Sequence, residues 1–397
     1  MNDLNASVLL VIEGTYPWYR GGVSEWVYQY LKALKNYDFH ILQVATDEFQ
    51  QLDPKNALYP LTENVKSFTR IPPPTLTNHW DVDKETWFQS IIEDVPTLEF
   101  SFIHVTNTGF AGWLGTKLSE VNSTPLVLTE HALYWKEVEK GAVALECGYQ
   151  IPDTFEAKSE IVEIFKKIAS QVYVSSEEVI SVSRINIPYQ KQFGANNPIY
   201  IPNGIPSELL DPVKIRKQKP VIGWIGRCAE MKNPKLFFEI VNVFRKNKLT
   251  PDFMMMLSDA NEKELESEVK FLAKEFPEVR MIWNESAEKY LNELDLLCIT
   301  SHNESQPLVM FEALSNKALP VGWQVGDLTR EFGFVVPPGT STQTLVNQIE
   351  NLWNNADKFE NFVENRYETV AFNHTWDSIF NKYDMLFEEL VTEDLEV

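Results

Sequence analysis

Residues 8–34, VLLVIEGTYPWYRGGVSEWVYQYLKAL, contain the pattern that decides the fold. The run Val8–Ile12 is short, β-branched and continuously apolar, as expected for a strand buried on both faces of a parallel sheet. Apolar residues then recur at helical spacing over 26–34. A turn containing Gly21 and Gly22 joins the two segments, so the stretch predicts a strand, a glycine-rich turn and a helix.

Two explanations fit the glycine pair at this turn. Free backbone N–H groups at the helix start, with no Cβ on Gly21 or Gly22, can bind a phosphate or a sugar hydroxyl. Glycines at such turns also occur where a helix packs closely on its strand. The turn alone leaves both explanations open.

Composition limits the class of protein. The 397 residues suffice for two domains of ordinary size, and 44% hydrophobic with 23% charged residues is typical of a globular protein. The formal net charge of −22 argues against a nucleic acid partner, because phosphate backbones attract the opposite sign. No apolar run approaches the ~20 residues that span a bilayer, and the polar start MNDLNAS is unlike a secretory signal. We therefore expect a cytoplasmic protein with at most peripheral membrane contact.

The cysteine pattern agrees with that location. Cys147, Cys228 and Cys298 are far apart, odd in number and outside any C-x-x-C pair. This spacing favours reduced thiols over a disulfide framework or a zinc site.

Strand-like and helix-like segments alternate along nearly the whole chain, which predicts an α/β protein with parallel sheets. Besides Val8–Ile12, the predicted strands are 39–45, 101–106, 125–129, 179–183, 220–225, 252–257, 279–283 and 295–300. The polar, turn-rich stretch 201–220 precedes a renewed alternation, so we interpret it as a linker between two doubly wound domains. Residues 374–391, HTWDSIFNKYDMLFEELV, predict a final amphipathic helix.

The predicted second domain begins with a candidate diphosphate clamp. Arg227 and Lys232, in GRCAEMKNP, flank the turn between strand 220–225 and a helix that starts near Leu236. The carboxyl end of such a strand is where open α/β sheets bind ligands. Two cations beside a helix start suit a diphosphate, and a pair of solvated surface charges is the alternative.

Two glutamates surround another predicted helix start, in the sequence ESQPLVMFEAL. Pro307 marks the start, so Glu304 in the loop and Glu312 within the helix can point toward one ligand. A carboxylate suits sugar hydroxyls, whereas backbone amides at a helix start suit a phosphate. Glu312 lies in an apolar stretch where an unpaired carboxylate would be costly, which argues against a surface role. The backbone expected beside the ligand comprises Gln306, Pro307, Leu308 and Val309.

Weaker signals lie in the predicted first domain. Asp81 and Asp83, in WDVDK, have the spacing of a metal-binding pair, but no predicted strand precedes them and we expect no metal site. His131, in LTEHALYW, follows a buried strand and is expected at the carboxyl end of the sheet, with a purely structural histidine as the alternative.

Three glycines in TGFAGWLG resemble a dinucleotide fingerprint only loosely. The spacing from Gly109 to Gly112 differs from that of the fingerprint, and close packing of a helix on a strand explains both of them and Gly115 equally well.

Together these residues resemble a retaining glycosyltransferase of family 4 with the GT-B fold. GRCAEMKNP is similar to the Arg and Lys pair that holds the donor diphosphate in that family, and ESQPLVMFEAL is similar to its paired-glutamate motif. EGTYPWYRGGVSEWV, TGFAGWLG and TEHALY look most like the branch that contains the Pel-polysaccharide glycosyltransferase. The chain departs from the family at Ala132, usually a glycine, and at Gln306, usually an apolar residue.

The resemblance implies two Rossmann-like domains that face each other across a cleft. It assigns 1–203 to an acceptor-binding domain and 204–375 to a nucleotide-sugar-binding domain, with a final helix over 376–397 that crosses back onto the first domain. Domain closure would then exclude water and align the two substrates.

The same resemblance implies roles for individual residues. Glu304 would lie near the donor sugar and Glu312 on the nucleotide ribose, while Gly21 and Gly22 would let their turn close over the donor diphosphate and the acceptor. The implied catalytic set is Glu304, His131, Arg227 and Lys232. The implied donor-binding set is Gly21, Gly22, Arg227, Lys232, Glu304, Gln306, Pro307, Leu308, Val309 and Glu312.

The reaction that follows from the resemblance is transfer of a sugar, with retention, from a nucleotide sugar to a glycan, lipid-linked or protein acceptor in polysaccharide biosynthesis. A UDP-sugar is the first expectation for the donor, and no metal or other cofactor is expected. A catalytically silent sugar-nucleotide or glycan-binding protein with the same fold is the alternative function. A phosphorylase or epimerase is a third, for which we identify no acid–base pair and no inorganic phosphate site.

The acceptor site is expected in segments 70–90 and 134–170, which are rich in aromatic residues. Their side chains can stack on sugar rings, and burial in the core is the alternative. The aromatic residues concerned are Trp80, Trp87, Tyr134 and Trp135.

Overall fold

The chain forms two compact units, each built on a parallel sheet. The computed structural model describes residues 5–14, 16–19, 21–46, 52–77, 79–141, 154–210, 213–260 and 262–393. The first unit is Met1–Pro202 with Phe380–Val397, and the second is Asn203–Ile379. None of the described helices is both long enough and apolar enough to cross a membrane.

The first unit contains a seven-stranded parallel sheet in the order β3-β2-β1-β4-β5-β6-β7. Its strands are β1 (Ala6–Glu13), β2 (Tyr37–Val44), β3 (Val65–Ile71), β4 (Phe102–Val105), β5 (Leu126–Glu130), β6 (Glu178–Ser181) and β7 (Ile199–Tyr200). Its helices are α1 (Gly22–Ala33), α2 (Trp80–Ile91), α3 (Phe110–Asn122), α4 (Tyr134–Glu139), α5 (Phe155–Ser175) and α6 (Ile187–Gln192), and Pro54–Asn56 forms a short 3₁₀ helix.

Helices cover both faces of this sheet. Val8–Ile12 is fully buried, which confirms the prediction of a strand buried on both sides. One face packs on α2, α3, α4 and α5, and the other carries α1 with the end of the chain. Trp26 of α1 contacts Phe380, and Phe387 lies 4.6 Å from Phe102, between ring centroids. The aromatic residues of the last helix are therefore part of the core of the first unit.

Tight packing explains the three glycines around the start of α3. A Cβ on Gly112 would overlap the carbonyl oxygen of Asn107, and one on Gly115 would overlap the Val105 side chain. A Cβ on Gly109 would lie 2.5 Å from the Tyr134 ring. The packing interpretation of this motif is therefore supported.

The aromatic residues considered for the acceptor site lie largely in the core. Trp80, Trp87 and Trp135 are buried, and Tyr134 is half-buried and packs against the same cluster. Part of the expected acceptor segment, 142–153, lies outside the described residues. The described part favours the core role for these side chains.

The second unit contains a six-stranded parallel sheet in the order β10-β9-β8-β11-β12-β13. Its strands are β8 (Val221–Arg227), β9 (Asp252–Ser258), β10 (Val279–Trp283), β11 (Leu296–Ile299), β12 (Leu319–Trp323) and β13 (Phe334–Val336). Its helices are α7 (Pro234–Phe244), α8 (Lys263–Glu275), α9 (Leu308–Ser315), α10 (Thr342–Asn354) and α11 (Ala356–Asn373). Short 3₁₀ helices occupy Ser207–Leu209, Glu230–Lys232, Ala287–Lys289 and Leu291–Glu293.

This sheet also has two apolar faces. Phe237 of α7 and Leu345 of α10 belong to the cluster on one face, and Met310 and Phe311 of α9 belong to the cluster on the other. Cys228 and Cys298 are buried free thiols of this unit, while Cys147 lies outside the described residues.

The last helix, α12 (Trp376–Glu393), begins in the second unit and enters the first at Phe380. The sequence placed that boundary at 376. Trp376 stays with the second unit because its ring packs on Gly204 and its backbone N–H donates to the Ile205 carbonyl at 2.9 Å.

Candidate functional site

The strand order of the second unit creates a crevice between two loops. The chain adds β9 and β10 on one side of β8 and then β11, β12 and β13 on the other, so the order of the parallel strands reverses between β8 and β11. Open α/β sheets bind ligands at this point, outside the carboxyl ends of the strands. A backbone hydrogen bond of 2.9 Å from His302 to Met231 joins the two loops that follow these strands.

Arg227 is the last residue of β8 and is exposed at this crevice. Within the described ranges, its guanidinium has no ion-pair or hydrogen-bond partner. A guanidinium presents several N–H donors in a planar fork that matches phosphate oxygens. The side chain is therefore available to an anionic ligand.

Lys232 and Glu304 meet across the crevice. Lys232 ends the 3₁₀ helix after β8, Glu304 lies in the loop after β11, and the ammonium forms an ion pair with the carboxylate. Both side chains are largely covered, with 27% and 12% exposed. The two predicted motifs are thus in contact, and the Glu304 carboxylate binds the Lys232 ammonium where an anionic ligand could bind it.

Helix α9 begins directly beside this pair. Pro307 is its N-cap residue and has no N–H, so of the four residues whose backbone is expected beside the ligand it is the one that offers no donor. The N–H groups of Leu308 and Val309 have no acceptor among the residues that the structure describes, whereas Met310 donates to the Pro307 carbonyl at 3.0 Å. Two donors at the positive end of the helix dipole therefore remain for a ligand.

The Gln306 side chain points into the protein. It is 8% exposed, its Oε1 accepts from the backbone N–H of Asn203 at 2.7 Å, and its Nε2 donates to Asp327 at 2.8 Å. These bonds use both ends of the amide to support the Glu304 loop, a role that fits a polar residue where the family usually has an apolar one.

A tight turn at 325–328 packs behind the same loop. Gly326 has φ +55°, and a Cβ there would lie 2.5 Å from the carbonyl oxygen of Glu304 and closer still to that of Ser305. Asp327 donates its backbone N–H to the Ser305 carbonyl at 2.8 Å. Gly326 was not identified from the sequence, because its role depends on a contact with Glu304 and Ser305, more than 20 residues earlier in the chain.

Glu312 lies in the second turn of α9, on the helix face that also carries Leu308 and Val309. Leu308, Val309 and Glu312 are the half-buried members of the first five helix residues, and positions three and four apart share a face. Glu312 therefore shares a helix face with Leu308 and Val309, the residues whose N–H groups are open at the helix start. Glu312 is half-buried, so its carboxylate is less removed from water than its apolar sequence neighbours predict.

The glycine turn of the first unit behaves differently from the α3 glycines. Gly21 is the N-cap of α1 with an extended φ of −175°, and a Cβ there would meet no atom within 4 Å. Neither backbone strain nor packing within the unit requires this glycine, so the packing explanation fails at this position. Gly22 begins α1, and its N–H has no acceptor in the described part of the chain.

His131 directly follows β5, at the carboxyl edge of the first sheet as predicted. Its ring packs against Trp26 with 4.9 Å between centroids, and its Nε2 is buried without a hydrogen-bond partner among the described residues. Burial lowers the pKa of the imidazole to about 3. The ring is therefore neutral at pH 7, and a role beside the donor sugar stays a prediction.

Glu130, the residue before His131, is a buried carboxylate that the sequence analysis missed. It accepts hydrogen bonds from Thr108 and Tyr173 at 2.7 Å and from Gln190 at 2.8 Å. Burial raises the pKa of its carboxyl to about 7, although these three hydrogen bonds act in the opposite direction. A charged residue at the end of the apolar run LVLTE was the signal that could have identified it.

This pKa predicts a pH dependence of stability. Because the folded state holds the Glu130 proton more tightly than the unfolded chain does, the free energy of unfolding should fall as pH rises from about 4.5 to 7 and then level, by on the order of 3 kcal/mol. Glu130→Gln removes this contribution, which urea unfolding at several pH values measures. Glu120→Gln, an exposed change on α3, is the control and should retain it. Equal pH profiles for wild type and Glu130→Gln would contradict the assignment.

Asp81 and Asp83 lie in the first turn of α2. Asp81 pairs with Lys84 at 2.6 Å, and Asp83 accepts from the Thr77 hydroxyl. No group of three or more His, Cys, Asp or Glu residues capable of holding a metal ion occurs among the residues described above. These contacts account for both aspartates as surface and helix-start residues.

Two protein families match the chain, one over the first unit and one over the second. Residues 6–81 and 87–198 match a family described as a domain of unknown function (DUF3492). Residues 207–369 match the family described as glycosyl transferases group 1. No curated protein matches the chain.

Solved structures resemble the chain over nearly its whole length. Sucrose-phosphate synthase from Thermosynechococcus elongatus has a TM-score of 0.71 at 18% identity, covering 98% of this chain and 100% of that one. HepE of Anabaena, in complex with UDP, has a TM-score of 0.69 at 14% identity, covering 96% and 100%. WaaG, a glycosyltransferase involved in lipopolysaccharide biosynthesis, has a TM-score of 0.62 at 13% identity, covering 96% and 99%. At these identities the likeness shows the fold, two Rossmann-like units with parallel sheets.

Proposed function

We propose that this chain, a glycosyltransferase with the GT-B fold, moves a sugar with retention from a UDP-sugar to a glycan, lipid-linked or protein acceptor. The observation that carries the proposal is the crevice of the second unit. There Arg227, the Lys232–Glu304 pair and the open N–H groups of α9 surround one point.

The chemistry of this point suits the donor. Negative charge builds on the departing diphosphate as the glycosidic bond breaks, and fixed cations with oriented N–H donors stabilise it where it appears. Arg227, Lys232 and the start of α9 supply such a field. Glu304 and Glu312 supply carboxylates for sugar hydroxyls.

We further propose that transfer needs no metal ion. The charges around the crevice already match a diphosphate, and Asp81 and Asp83 are engaged elsewhere. UDP is the first nucleotide to test because HepE, which shares the fold, was crystallised with it. The acceptor would bind the first unit, where the carboxyl edge carries His131 and the exposed start of α1.

Two measurements test the function together. Calorimetry with UDP, ADP and GDP should give binding for one diphosphate, and proton NMR of the fresh product should show the anomeric configuration of the donor. Inverted product would exclude retention. Binding without transfer to any glycan, lipid-linked or protein acceptor would favour the silent binding protein.

Loss of the Glu312 carboxylate should weaken nucleotide binding. Glu312→Ala is expected to reduce UDP affinity about tenfold, the scale of a lost hydrogen bond to a charged group. Calorimetry measures this, with Glu239→Ala on the exposed face of α7 as the control. Unchanged affinity in Glu312→Ala would contradict the ribose assignment.

Neutralising Glu304 should have the opposite effect on UDP. The Glu304 carboxylate competes with the diphosphate for Lys232, so Glu304→Gln should raise UDP affinity about two- to fivefold, the range of a partly exposed ion pair. Turnover should fall, because the carboxylate at the donor sugar is lost.

Glu268→Gln is the matched control for this change. It breaks a lysine ion pair of 3.1 Å, to Lys235, elsewhere in the second unit and should leave UDP affinity unchanged. Weaker UDP binding in Glu304→Gln would show that Glu304 supports the nucleotide rather than competing with it.

A further inference from the structure

Thr300, the first residue after β11, lies behind the turn that carries Lys232. It is 4% exposed, and its hydroxyl oxygen is 2.9 Å from the carbonyl oxygens of both Lys232 and Asn233. The indole N–H of Trp224 points at the same oxygen from 2.8 Å. One buried hydroxyl thus joins the middle of β8 to the turn that follows it.

The chemistry of these groups fixes the direction of each bond. An indole nitrogen donates and never accepts, and the two carbonyls accept and never donate, so the hydroxyl accepts from Trp224 and offers its single hydrogen to Lys232 and Asn233. The Trp224 ring packs on Gly226, where a Cβ would lie 2.9 Å from it. The ring therefore has a packing contact in addition to its hydrogen bond to Thr300.

The turn at Lys232 has a demanding backbone geometry. Asn233 adopts the left-handed conformation, with φ 49° and ψ 58°, between the 3₁₀ helix and α7. The hydroxyl of Thr300 and the backbone N–H of His302 hold this turn from the side of the β11 loop. Both contacts come from the loop that also carries Glu304.

We propose that Thr300 is a positioning residue for Lys232. Its hydroxyl fixes the backbone of the turn so that the Lys232 ammonium is held where the diphosphate would bind. This inference rests on the proposed function of the crevice. It goes beyond that function because Thr300 is buried and contacts the backbone of the Lys232 turn rather than the position proposed for the ligand. A valine at this position has the same shape but removes the hydroxyl from the Lys232 carbonyl and the indole N–H, while the Asn233 carbonyl keeps the backbone N–H of Leu236 at 3.3 Å.

A double-mutant cycle with UDP as the calorimetric probe tests the proposal. Thr300→Val should weaken UDP binding about tenfold in the wild-type background and less than twofold in Lys232→Ala, because contacting residues are coupled. Thr300→Ser keeps the hydroxyl and should restore affinity to within about twofold of wild type. A merely structural threonine would weaken binding equally in both backgrounds, and that result would overturn the proposal.

Two further variants separate positioning from general destabilisation. Thr116→Val removes a buried hydroxyl that donates to a helix carbonyl at 3.0 Å in α3 of the first unit, and it should leave UDP affinity unchanged. Trp224→Phe combined with Thr300→Val removes the stranded indole N–H, and it should not restore affinity, because the Lys232 carbonyl still lacks the hydroxyl. Wild-type affinity in Thr300→Val would overturn this inference alone, whereas failure of the wild type to bind UDP would count against the proposed nucleotide.

Discussion

Lys232→Ala and Arg227→Ala should each lower turnover about 100-fold or more, the scale of losing one preorganised charge or donor at a developing anion. Lys232 stands at the crevice with its ammonium on Glu304, and Arg227 is exposed there without a partner in the described chain. Arg227→Ala breaks no ion pair of the described chain and should leave the melting temperature nearly unchanged. Lys232→Ala leaves the largely covered Glu304 carboxylate without its cation, so it should also lower the melting temperature.

The measurement is the rate of UDP release from the sugar nucleotide, with and without excess chelator. Lys235→Ala is the matched control, since Lys235 lies three residues from Lys232 but pairs with Glu230 at 3.2 Å on the surface. A double variant of Asp81 and Asp83 to alanine tests the metal alternative. Chelator-sensitive activity that vanishes in the aspartate variant and survives in Lys232→Ala would overturn the mechanism.

Gly326→Ala should both destabilise the second unit and reduce turnover. The left-handed φ of +55° and the overlap with the Glu304 and Ser305 carbonyls together cost about 2–4 kcal/mol. The clash cannot be relieved by a flexible side chain, because it falls on backbone atoms. Movement of the loop displaces Glu304, for which we expect a loss of turnover on the order of 10- to 100-fold.

Gly339→Ala is the control for backbone strain alone. Gly339 has φ +83° in the same unit, but a Cβ there would meet no atom within 4 Å. It should cost about 1 kcal/mol in urea unfolding and leave turnover unchanged. Equal effects of the two substitutions would contradict a specific role of the 325–328 turn.

The fold was predictable where strands are buried and continuously apolar. Strands corresponding to Val8–Ile12 and to the eight other predicted segments are all present. β3 and β12 were not predicted. β3 lies at the sheet edge and is largely half-exposed, and β12 contains Pro320 and Gly322, two residue types that disfavour strands. Both segments form strands because of their neighbours in the sheet, which the sequence does not show.

The residues of the site that lie at or shortly after the ends of predicted strands could be identified from the sequence. Arg227, Lys232 and Glu304 were identified from turns after β8 and β11. The ion pair of Lys232 with Glu304 and the hydroxyl of Thr300 depend on the register of two strands about 70 residues apart, so spacing cannot reveal them. The inward orientation of the Gln306 side chain could not be predicted either, because Asp327 and Asn203 set it and both are distant in sequence.

The first unit is discontinuous in sequence, and this has a consequence for recombination. Residues 203–379 form one insertion between Pro202 and Phe380, and the aromatic residues after Phe380 complete the core against α1 and β4. A chimera that takes its second unit from a relative therefore needs one continuous inserted segment and two junctions. The second junction should fall within α12 before Phe380, so that the host keeps its own aromatic residues. A fragment ending at Pro202 would expose Trp26 and Phe102 and should aggregate.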